Sequence, residues 1–272
     1  MRKLGKLLIE IFAVSLTLLV LVPFYFTLVN SFKTSPEAAS MQISLPETFR
    51  ILENYKEVFI RGNLIRALWN STLITVFSIA VLIVISSTAA FVLQRRKSRL
   101  TRVLDFFVLA GLIVPPAIVP TLWTLRILHI DRTKLSLILI EAVISFSFAT
   151  LLYKGFFATI PREIDEAAIV DGCGNWRMFF QIILPLLMPV TITISILSGI
   201  NIFNDFINPL YFLSGAKNAT VQLTIYYFTG MYNSDWNLVF ADIVLISLPP
   251  LIFYLFTNKK IIDGMVAGSI KA

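Results

Sequence analysis

Residues 151–190 read LLYKGFFATI PREIDEAAIV DGCGNWRMFF QIILPLLMPV. An apolar run ends near Thr159, a polar stretch follows, and a second apolar run opens after Leu184-Pro185. The polar stretch has the chemistry of a helix start. Pro161 suits a first helical position, and Glu163, Asp165 and Glu166 put negative charge into the first turns, where the helix dipole favours it. Ala167 and Ala168 carry almost no bulk, so another surface can approach the backbone there. Gly172 and Gly174 permit a reversal that other residues resist. Asn175 is placed to cap a second helix, whose face of Trp176, Phe179, Phe180 and Ile183 leads into the next apolar run. Lys154-Gly155-Phe156 runs in and Leu184-Pro185 runs out, so the two short helices form a knob with little slack. Such a knob would pass on an applied force instead of absorbing it. The alternative is an amphipathic hairpin with no partner.

Composition explains the flanking runs. Of the 272 residues 57% are hydrophobic and 14% charged, and mean hydropathy is +0.82. An ordinary soluble domain is excluded. A spanning helix needs roughly 20 apolar residues to cross a core of about 30 Å, and six stretches qualify, near 8–31, 68–93, 103–126, 135–158, 186–212 and 238–257. The first is too long for a signal-peptide core, and no small-residue cleavage site follows Phe32, so it reads as a permanent span. The expected fold is all-α: one polytopic membrane domain over residues 1–272, with an outer loop at 33–67, a cytoplasmic loop at 159–185 and a cytoplasmic tail at 258–272.

The net charge of +7 and pI near 9.6 do not point to nucleic acid, because the basic residues cluster at span ends. With the N-terminus inside, the inner segments hold 14 of the 23 basic residues. Five of the nine outer ones lie in the long loop, where glutamates nearly cancel them, which leaves four in short outer segments. The positive-inside rule therefore predicts two cytoplasmic termini. Cys173 and His129 are single, so no internal disulfide and no Cys/His metal pattern is expected. There is no G-x-x-x-x-G-K-[ST] to cradle ATP phosphates, and no nucleophile, base and orienting group stand out as a set. The chain reads as neither an ATPase nor another enzyme.

Three further features invite interpretation. Leu52, Tyr55, Val58 and Phe59 recur at helical spacing in the outer loop and predict a short amphipathic helix, lying on the membrane face, on a partner, or packed back on the bundle. Arg95-Arg96-Lys97-Ser98-Arg99 reads as a positive-inside anchor, and Pro115-Pro116 with Pro120 predict a kink in the third span. Asn201, Asn204, Asp205 and Asn208 fall at i, i+3, i+4 and i+7, which predicts one polar face on the fifth span. That face either lines a water-filled path or bonds to neighbouring helices. Glu10, Asp105, Glu141 and Asp242 are expected near span ends, within reach of water.

The spacing E-A-A, three residues, G, nine residues, I-x-L-P, carried by Glu166 to Gly172 and Ile182 to Pro185, resembles the cytoplasmic signature of ATP-binding-cassette importer permeases. Leu52-Glu53-Asn54-Tyr55, Asn70-Ser71, Gly155-Phe156-Phe157 with Ile160-Pro161, Asn204-Asp205-Phe206 and the tail Gly264 to Lys271 extend the likeness over nearly the whole chain, toward the MalG-type carbohydrate permeases. A tryptophan often precedes N-D-F in that family, and Phe203 stands here. The resemblance implies a multi-pass subunit of a bacterial or archaeal inner membrane. Its partners would be a second homologous permease, two nucleotide-binding subunits that hold the ATP and Mg, and an external solute-binding protein. Glu166, Ala167, Ala168, Asp171 and Gly172 would then couple to the ATPase, and Gly264, Gly268 and Lys271 would touch it. The alternatives are import of a non-sugar solute through the same architecture, or a secondary carrier, which needs buried ion-coupling groups.

Overall fold

The computed structural model describes residues 2–230 and 234–269. In order, the helices are α1 (Arg2–Asn30), α2 (Ser35–Ala39), α3 (Ile51–Arg61), α4 (Leu64–Arg95), α5 (Arg99–Ala110), α6 (Ile118–Ile127), α7 (Lys134–Phe157), α8 (Glu163–Val170), α9 (Asn175–Leu186), α10 (Met188–Asn204), α11 (Ile207–Phe212) and α12 (Trp236–Ser269). No strand occurs among the described residues. The fold is all-α, as expected.

Four helices are long and apolar enough to cross a bilayer: Ile9–Asn30 within α1, α4, α7, and Trp236–Thr257 within α12. The α9–α10 pair passes the same test but is bent by 75° at Leu187. The expected third span, 103–126, is not one helix. It is split into α5 and α6, because Pro115 and Pro116 lack the N–H a continuous helix needs and their rings clash with the preceding turn. The expected fifth span also differs: α10 starts at Met188 and stops at Asn204.

The chain folds as two compact units. The first comprises residues 1–68 and 220–249. Its core is Val58 of α3 against Phe228, Leu238, Val239 and Ala241. The outer-loop helix therefore packs back within its own unit, with Tyr55 and Val58 inward and Leu52, 86% exposed, outward. Asn54 explains the L-E-N-Y motif. Its amide donates to the carbonyls of Ser31 (2.8 Å) and Lys33 (2.9 Å), and its side-chain oxygen accepts from Asn237 (2.9 Å). Tyr55 Oη lies 3.0 Å from Ser31 Oγ, and burial pushes that phenol's pKa up. Asp242 is fully buried and accepts from Thr224 Oγ1 at 2.9 and 3.0 Å, so it does not reach water at a span end.

Asn54→Leu should strip three groups of their partners, and each buried orphan costs roughly 1–3 kcal/mol. We expect a clearly lower melting temperature of the detergent-solubilised protein; an unchanged melt would contradict this role.

The second unit comprises residues 69–219 and 250–272. One cluster joins Leu82 and Ala90 of α4, Tyr153 and Phe157 of α7, and Ile183 and Ile194 of α9 and α10. Gly199 lets α10 approach α4 closely, since a Cβ there would meet Ile79 Cδ1 at 3.1 Å. Asn70, the motif residue of α4, donates to the carbonyls of Lys217 (3.1 Å) and Ala219 (2.9 Å) and accepts from Lys134 Nζ (2.5 Å). Asp105 of α5 is paired with Lys154 of α7 and remains partly exposed, within reach of water as expected.

Candidate functional site

The knob is built as the polar stretch predicts, with corrections at its joints. α8 begins at Glu163 with Arg162 as N-cap, so Pro161 lies just outside the helix. Gly174, not Asn175, is the N-cap of α9, and no side chain caps it. Only Gly172 of the two glycines takes a positive φ, +76°. The Gly172 N–H donates to Ile169 O and the Cys173 N–H to Ala168 O, both at 3.0 Å. These two bonds are the Schellman closure of a helix end, in which the left-handed residue is normally glycine. Ala168 and Cys173 complete it by packing into the core around Phe179 and Ile183. Ala168 is therefore small because it is packed, 3% exposed, and is not open to an approaching surface. Glu166, Ala167, Asp171 and Gly172 are exposed.

The expected aromatic face divides. Phe179 and Ile183 are buried, while Trp176 and Phe180 stack on each other outside, with centroids 6.0 Å apart and planes at 11°. Ile169, Val170 and Trp176 give the tip an exposed apolar surface.

Arg95 does more than anchor. Its guanidinium at the end of α4 meets Asp165 of α8 (Nε to Oδ2, 2.6 Å), and both side chains are nearly buried, at 12% and 14% exposed. Nη1 and Nη2 each donate to Ile160 O at 3.2 Å, and the group lies 5.9 Å from the Phe157 ring centroid. Arg162 reaches back to Gln94 O at 3.5 Å. One planar cation thus ties α4, the end of α7 and the start of α8 together, a task that suits the fixed fork of arginine.

The polar stripe is reorganised. Asp205 is not helical: its ψ of 130° ends α10, and its carboxylate accepts from the backbone N–H of Ile207 (2.9 Å) and Asn208 (3.3 Å), starting α11. Asp and Asn favour this local bonding, which competes with helix continuation. The four residues therefore share no single helical face, and Asn204 does not line the cavity that the others form. That cavity, about 360 Å³, is lined by Glu141, Ser145, Ser198, Asn201, Asp205 and Asn208, with Phe148 offering a ring. Asn208 Nδ2 donates to Glu141 Oε1 at 3.1 Å. Glu141, expected near water, is 5% exposed and sits within hydrogen-bonding reach of Asp205. It is the functional candidate that sequence reasoning passes over. An acid on an otherwise apolar membrane helix is the available signal.

The backbones of Gly264 and Gly268 are helical, because α12 continues through Ser269 instead of ending near 257. Lys271 lies outside the described residues.

Residues 82–261, which contain both the knob and the cavity, match the family described as binding-protein-dependent transport system inner membrane component. The chain belongs to this family. AmyC of Thermoanaerobacterium thermosulfurigenes, a probable starch degradation products transport system permease protein, is 35% identical to this permease over 268 residues, covering 98% of this chain and 97% of its own. MelC of Bacillus subtilis, a melibiose/raffinose/stachyose import permease protein, is 32% identical over 253 residues, 92% and 91% of the two chains. A solved chain of a bacterial ABC transporter involved in the import of the acidic polysaccharide alginate shares the fold of the permease, with a TM-score of 0.80 at 19% identity over 94% and 96% of the chains. The permease is thus an integral inner-membrane component of an ABC importer.

Proposed function

We propose that this permease is the transmembrane subunit of an ATP-driven, binding-protein-dependent carbohydrate importer. It forms half of the translocation path with a second homologous permease, and works with two ATPase subunits, which hold ATP and Mg, and an extracytoplasmic binding protein. The observation that carries the carbohydrate reading is the near full-length identity to AmyC and MelC, named for starch degradation products and for melibiose, raffinose and stachyose. The cavity supports it, since hydroxyl, amide and carboxylate groups beside a phenyl ring match the donors, acceptors and apolar faces of a sugar.

The knob is the ATPase contact in this reading. Glu166, Ala167, Asp171 and Gly172 present the surface, Ala168 roots it, and the end of α12 with Gly264, Gly268 and Lys271 adds a second contact. Both termini are then cytoplasmic. Uptake by proteoliposomes carrying the complete complex should require ATP on the knob side and should proceed with starch or α-galactoside oligosaccharides. Uptake without ATP, driven by an ion gradient, would instead establish a secondary carrier. Reporter fusions at the C-terminus and within residues 36–50 should report opposite sides of the membrane; the same side for both would refute the orientation.

A further inference from the structure

The cavity between α7 and α10 has a sign. Glu141 and Asp205 both line it, and no lysine, arginine or histidine does. Three cations of this unit are paired away from the cavity: Lys134 with Asn70, Lys154 with Asp105, Arg95 with Asp165. The Asp205 carboxylate is held by two backbone N–H groups, so it cannot swing away from the cavity without unmaking the start of α11.

The same wall carries hydroxyl and amide groups that are not committed to the protein. Ser198 is 3% exposed and lines the cavity, yet its hydroxyl has no hydrogen-bond partner among the described residues. Ser145 and Asn201, also on the wall, likewise have none. Hydroxyl and amide groups open to a cavity of about 360 Å³ suit a solute that both donates and accepts.

We propose that this cavity is a charge-selective subsite of the path, which admits uncharged polyhydroxylated solutes and turns away anionic ones such as uronic-acid oligosaccharides. The proposal rests on the carbohydrate reading above and narrows it. A neutral sugar can donate hydroxyls to both carboxyl groups and accept from Ser145, Ser198 and Asn201. A uronate brings a carboxylate against the acidic wall with no cation to meet it. At partly desolvated distances of a few ångströms, like charges disfavour entry by on the order of tenfold or more. The selection is made within the membrane, separately from whatever the external binding protein selects.

Cys173 is the only cysteine, so Cys173→Ser with Ser145→Cys gives a single reporter thiol on the cavity wall. In the complete complex, a cationic methanethiosulfonate (trimethylammonioethyl) should modify it on the order of tenfold faster than an anionic one (sulfonatoethyl), after correction for their rates with free thiol. Asp205→Asn with Glu141→Gln should bring that ratio toward one. Maltotetraose should protect the thiol from neutral methyl methanethiosulfonate, and the corresponding C6-oxidised uronate tetrasaccharide should not. Equal rates for the two charged reagents, equal protection by the two sugars, or protection by neither would overturn the proposal. So would failure of every reagent to label, which would mean that the partner permease fills the cavity. Each of these results is compatible with normal ATP-driven sugar uptake, so failure here is distinguishable from failure of the carbohydrate reading.

Discussion

Arg95→Glu should abolish most uptake by the assembled importer, by at least about tenfold, while the variant still reaches the membrane. The substitution places two carboxylates where a nearly buried pair stood at 2.6 Å, and breaking such a pair from one side costs roughly 3–5 kcal/mol. It also removes both donors to the carbonyl of Ile160. The knob is then no longer fixed to α4, and motion imposed on α8 is absorbed at the joint. The measurement is solute taken up per ATP hydrolysed in proteoliposomes, with membrane abundance as control. Exchanging the charges, Arg95→Asp with Asp165→Arg, should recover part of the coupling, because the pair is restored although the Ile160 bonds are not. Arg95→Lys should fall between, since an ammonium keeps the charge but loses the fork. Wild-type coupling in Arg95→Glu, or no recovery on exchange, would refute the joint.

The knob is legible in the sequence because its determinants are local. Acids in a first turn, small residues, a glycine at the end and a second amphipathic turn all act within a short stretch of chain. The same locality makes the long apolar runs legible, since length and hydropathy alone nominate a span. Where prolines interrupt the run, as at Pro115-Pro116, hydropathy still counts one stretch while the backbone makes two helices. Helical spacing fails at Asp205 for a related reason: a period of 3.6 presumes an unbroken helix, and a residue able to bond its own following N–H groups can end one.

What the sequence does not disclose depends on distant partners. Arg95 reads as one more cytoplasmic cation until Asp165, 70 positions on, stands beside it. Counting residues puts Glu141 near a span end, yet its environment is set by Asn208, 67 positions away. Asn54 and Asn70, pieces of the family motifs, prove to hold loop carbonyls, a role invisible without the loops. Family signatures thus mix two kinds of residue, and only geometry separates those that face a partner from those that brace the scaffold.

Gly172 braces the turn and, in the function proposed above, also faces the ATPase; its substitutions should tell the two roles apart. Proline fixes φ near −65° and removes the N–H that bonds Ile169 O, so Gly172→Pro should undo the closure of α8 and misdirect the exposed tip. We expect uptake to fall by roughly tenfold or more, comparable to other losses of a positioned contact, with membrane abundance unchanged because the site lies outside the apolar spans. A Cβ at this position meets nothing of the chain itself within 4 Å, so a clash at the Cβ would come from another molecule. Alanine adds only the strain of a left-handed conformation, about 1–2 kcal/mol, and asparagine relieves much of that strain while adding bulk. If Gly172 serves only the turn, Gly172→Asn should transport better than Gly172→Ala. If the ATPase closes over this point, as the knob reading requires, Gly172→Asn should be the more damaged of the two despite its easier backbone. The ranking is read from ATP-dependent uptake normalised to permease in the membrane. Normal uptake by Gly172→Pro would mean that neither the closure nor the contact matters, and the knob would lose its assigned role.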